Sequence, residues 1–149
     1  MSVILDIADE VVTELNTSAF SKPFAAQRAY VPAFKPSEMV DIRVSVVPKS
    51  MEISSGTRSE RQCDYQVDIG VQQKLASSPS GFDQGDAAEL DPLMTLVEEI
   101  ADHFSGRALD TQPVAVCIAV ENVPIYAQEH MRELRVFTSI LTLTFRVWR

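Results

Sequence analysis

Little in this sequence points to a special environment. It holds two cysteines, five glycines and one tryptophan in 149 residues, and aromatics make up only 7%. Cys63 and Cys117 belong to no CxxC pair and each falls in an apolar-rich segment, so they read as reduced core thiols. Gly56, Gly70, Gly81, Gly85 and Gly106 are too scattered to cradle a phosphate, and no GxSxG elbow surrounds a serine. Basic residues are in deficit, 13 against 21 acidic, for a net charge of −8 and a pI near 4.7. That balance argues against broad cationic binding to duplex DNA, because neutralising phosphates takes clustered Lys and Arg. No run approaches the roughly 18 apolar residues of a membrane span. The stretch MSVILDIADE breaks its apolar run at Asp6 and has no basic n-region, so no signal peptide is read there and cytoplasmic synthesis is expected.

What is present suits one folded domain over residues 1–149. Hydrophobic residues are 46% and charged residues 23% of the chain. At this length roughly two-thirds of the unfolded surface can be buried without metals or disulfides.

Periodicity supplies the elements. Ile4, Ile7, Val11 and Leu15, with Ala8 beside them, predict a helix over Val3–Leu15, stopped by Asn16-Thr17-Ser18. Phe24–Phe34, bounded by Pro23 and Pro32, predicts a short strand. Ile42, Val44 and Val46 share one face of a strand over Asp41–Val47, which Pro48 should end. From Gln62 to Gln72, Cys63, Tyr65, Val67, Ile69 and Val71 alternate without error against polar residues, the mark of a strand with one dry face. Asp91 as N-cap and Pro92 at the first helical position open a second helix. Its stripe is Leu93, Leu96, Val97, Ile100 and Phe104, and Gly106 stops it. Two strands follow: Val114–Val120, with Val114, Val116, Ile118 and Val120 on one face, and Val136–Trp148. The fold class is therefore α+β, in the order α-β-β-β-α-β-β. It is mainly an antiparallel sheet of about five strands with both helices packed on one face.

Chemistry-bearing groups are few. Glu99 and His103 sit one helical turn apart and could pair, but a histidine in the last turn also suits the helix dipole. His130 beside Glu129 reads as solvated. The acidic residues Asp83, Asp86, Glu89 and Asp91 lack the alternating ligand spacing of a calcium loop. No catalytic residue, metal or cofactor is expected. The polar segment Lys49–Arg61 reads as a long loop, and long loops in compact domains tend to be functional. Its charges, Lys49, Glu52, Arg58, Glu60 and Arg61, sum to +1 within an acidic chain, which suits docking to an acidic partner. Trp148 reads either as an interface anchor or as a closure of the core edge.

Six stretches carry a resemblance. They are AYVP (Ala29 to Pro32), DIRVSVVP (Asp41 to Pro48), DYQVDIGVQ (Asp64 to Gln72), LVEEIADHF (Leu96 to Phe104), VENVPIYAQEHM (Val120 to Met131) and FTSILTLTFR (Phe137 to Arg146). In this order they resemble the small tail terminator or tail-completion proteins of long-tailed bacteriophages. The resemblance implies a structural virion protein, made in the bacterial cytoplasm and placed in the neck. It implies a homo-oligomeric ring, typically a hexamer, that ends tail-tube polymerisation. Its partners would be the tail tube protein and the head connector or stopper. The acidic lumen of such a ring would repel DNA phosphates and let the genome pass without specific binding. Within such a ring Lys49, Arg58, Arg61 and Trp148 would serve as interface residues. Alternatives are another neck component, a small enzyme using Glu99 and His103, or a monomeric binding module.

Overall fold

The alternation at the middle of the chain sets the architecture. In the computed structural model, which describes residues 2–30, 41–56, 59–75, 87–123, 125–126 and 136–149, that segment is strand β3, Arg61–Lys74. It pairs antiparallel with the last strand, β6, Val136–Trp148. Tyr65 stands opposite Phe145, Val67 opposite Leu143 and Ile69 opposite Leu141, and all six side chains are buried. Period-two order converts directly into this dry face, because partners across an antiparallel ladder point to the same side.

Around this pair the sheet grows to six strands in the order β1-β2-β3-β6-β5-β4. The others are β1 (Ala25–Arg28), β2 (Arg43–Ser55), β4 (Ala108–Leu109) and β5 (Ala115–Glu121). Helices α1 (Val3–Thr17) and α2 (Ala87–Phe104) bury their apolar stripes against it. From α1 these are Ile7, Ala8, Val11 and Leu15; from α2 they are Leu93, Leu96, Val97, Ile100 and Phe104. Helix α1 touches β1, β2, β3 and β4, so the sheet curls around it, while α2 lies against β5 and β6. Asn16 fixes the exit of α1. Its amide donates to the Ala26 carbonyl at 3.1 Å and accepts from the Ala26 N–H at 2.7 Å. Gly106, at φ +73°, takes the left-handed position after α2, as expected of a glycine stop.

Several expectations need correction. The sheet is mixed, since β1 runs parallel to β2. The two-residue β4, too short to show a period, adds a sixth strand. Pro48 does not end β2. It lies just beyond the last residue paired with β1, where no strand of the described residues needs its missing N–H, and a register shift between Pro48 and Ser50 absorbs it. The segment Lys49–Arg61 is thus mostly ladder and not loop: Ser50 to Ser55 pair with Gln66 to Arg61. Helix α2 begins at Ala87 instead of Asp91, and Pro92 sits inside it. As the sixth residue of the helix it lies past the first turn and gives up its own i→i−4 hydrogen bond. The expected strand Phe24–Phe34 is realised as Ala25–Arg28; its end at 31–34 lies outside the described residues.

Both cysteines are free and buried, as core thiols are, and in β5 this sets which face turns inward. Ala115 and Cys117 face the core, while Val114, Val116 and Ile118 are half-exposed. Cys117 pairs with the buried Phe145, and Val116 with Arg146 on the outer face. The small side chains Ala115 and Cys117 thus take the inner face, and a register shift between Cys117 and Ala119 lets Val120 return to it beside Leu143.

Candidate functional site

Strand length generates an overhang. At about 3.3 Å per residue, β2, β3 and β6 extend for ~45 Å, whereas the 15-residue α1 spans about 22 Å. The far ends of the long strands therefore reach past α1. There Met51 is 61% and Ile53 48% exposed, although the register puts both on the same side as Tyr65 and Cys63. On the outer face at the same end, Trp148 is 51% exposed; Val116 of β5, opposite Arg146, shares that face, and exposed Val114 directly precedes the strand. Exposed apolar groups gathered on one end of a sheet mark a contact surface more often than scattered ones do.

This end holds two of the four residues expected at an interface. Arg61 and the terminal Arg149 exchange backbone hydrogen bonds of 2.6 and 3.0 Å, which brings Arg61 next to Trp148. The indole lies over Gly56, where a Cβ would come within 3.3 Å of the ring and 2.7 Å of the Glu60 carbonyl oxygen. Glycine at 56 thus allows both the close approach of the Glu60 carbonyl and the seating of Trp148. Lys49 is not with them. It lies at the register shift, 3.8 Å from the Asp68 carboxylate. Arg58 lies outside the described residues, as do Asp83, Asp86, Glu129 and His130. Met51, Ile53 and Val114 are the contributors that periodicity did not reveal.

The outer face between these ends is a polar ladder. Arg146 grips Asp64 through two bonds of 2.9 and 3.1 Å, and this side-chain hydrogen bonding raises the already high pKa of the guanidinium. Thr142 donates to Asp68 at 2.7 Å, and Ser50 donates to Gln66 at 3.0 Å. The Ser45 hydroxyl and the Gln72 carbonyl oxygen are buried on this face without a hydrogen-bond partner among the described residues.

The other chemical candidate dissolves on inspection of its geometry. Glu99 and His103 do not pair. Glu99 accepts the Ser21 N–H at 2.9 Å, while His103 Nε2 reaches Glu14 at 2.9 Å. Glu14 also holds Arg107 at 2.9 Å, and Ser18 Oγ stands 3.5 Å from the same His103 nitrogen. A nucleophile relay needs the acid on Nδ1 and the hydroxyl on Nε2. Here one nitrogen faces both, so the cluster ties α1 to α2 instead of activating a serine. Neighbouring Glu10 is pushed above its ordinary range by partial burial, with Glu14 and Asp110 adding repulsion. Glu14→Gln should lower stability at neutral pH by about 1–3 kcal/mol, the usual loss for a partly buried charged hydrogen bond. Denaturant melts of the two proteins check this.

Among the described residues no group of three His, Cys, Asp or Glu is placed to hold a metal, and no helix is long and apolar enough to cross a membrane. No protein-family model matches the chain, and no curated protein matches it in sequence.

Proposed function

We propose that this protein is a structural ring component that caps the head-proximal end of a phage tail tube and offers the head connector a docking surface. The six-stretch resemblance supports that reading, and one structural observation carries it furthest. The chain leaves apolar side chains bare on both faces of one end of its sheet, which suits a subunit that contacts different neighbours on each side. The His103 cluster is satisfied by tying two helices together, a structural use of its charges. A net charge of −8 per copy suits a channel that repels DNA instead of holding it. The test is to polymerise the cognate tail tube protein with and without the purified chain. Capped tubes should stop growing once the chain is added and should then bind connectors. Tubes that elongate equally with and without it would remove the capping role.

A further inference from the structure

We draw no further inference here: the strongest candidate, the apolar surface patch of exposed Met51 and Ile53 on the part of β2 that β1 does not pair, carries nothing because nothing in the structure shows what covers it.

Discussion

Val67→Asp should leave a chain that does not fold. Val67 is fully buried at the centre of β3, between Pro48 and Leu143 in the ladder. The substitution discards the ~1.5–3 kcal/mol that burying a valine contributes. It also places a carboxylate where no cation can reach it, at a cost of several kcal/mol even after relaxation. Together these approach the whole 5–15 kcal/mol by which a typical domain is stable. The adjacent Asp68→Asn is the control. Asp68 lies on the outer face and accepts from Thr142 at 2.7 Å, a bond that an asparagine oxygen can also accept. It should change stability by less than about 1 kcal/mol. Circular dichroism melts of both variants decide the matter, and equal melting would mean that β3 faces the other way.

The second large effect lies on β5, where adjacent substitutions should fail for different reasons. Cys117 is 1% exposed and pairs with Phe145, so Cys117→Asp should unfold the domain as Val67→Asp does. Val116 is half-exposed beside Arg146 on the outer face. Val116→Asp should therefore keep a wild-type melt within about 1 kcal/mol, as surface substitutions do, yet weaken any assembly through the exposed apolar end of the sheet, where it puts a charge. Thermal melts combined with light scattering separate the two. A folded Cys117→Asp beside an unfolded Val116→Asp would restore the facing that the valine pattern suggests.

That strand shows where reading the sequence stops. Strand β3 is legible because Gln62, Asp64, Gln66 and Asp68 mark one face as wet, leaving one choice for the other. In β5 the run Val114 to Val120 is apolar at every position, so period two has no phase, and the bulky valines draw the assignment inward. What decides is the register of β5 between β4 and β6, a tertiary quantity. The hairpin after Pro48 was hidden for a related reason. A proline followed by Lys49, Ser50 and Glu52 looks like the start of a loop. It is tolerated in the ladder because β1 ends at Arg28, opposite Val46. Nothing local to residue 48 records where β1 ends. The same holds for the candidate surface. Trp148 and Arg61 were singled out by chemistry, but their meeting depends on the pairing of Arg61 with the terminal Arg149. Met51 and Ile53 have core chemistry and are exposed only because the long strands outrun α1. The helix stripes, by contrast, were legible almost residue by residue, because a 3.6-residue period leaves a single buried side.

The central claim is a place as well as a shape, and the most direct measurement is an image of the assembled virion at a resolution that reveals this fold. The account predicts a closed ring of copies, most simply six, at the junction of tail tube and head connector. Particles in which this chain is absent, or in which it sits away from the head-proximal end of the tube, would contradict it.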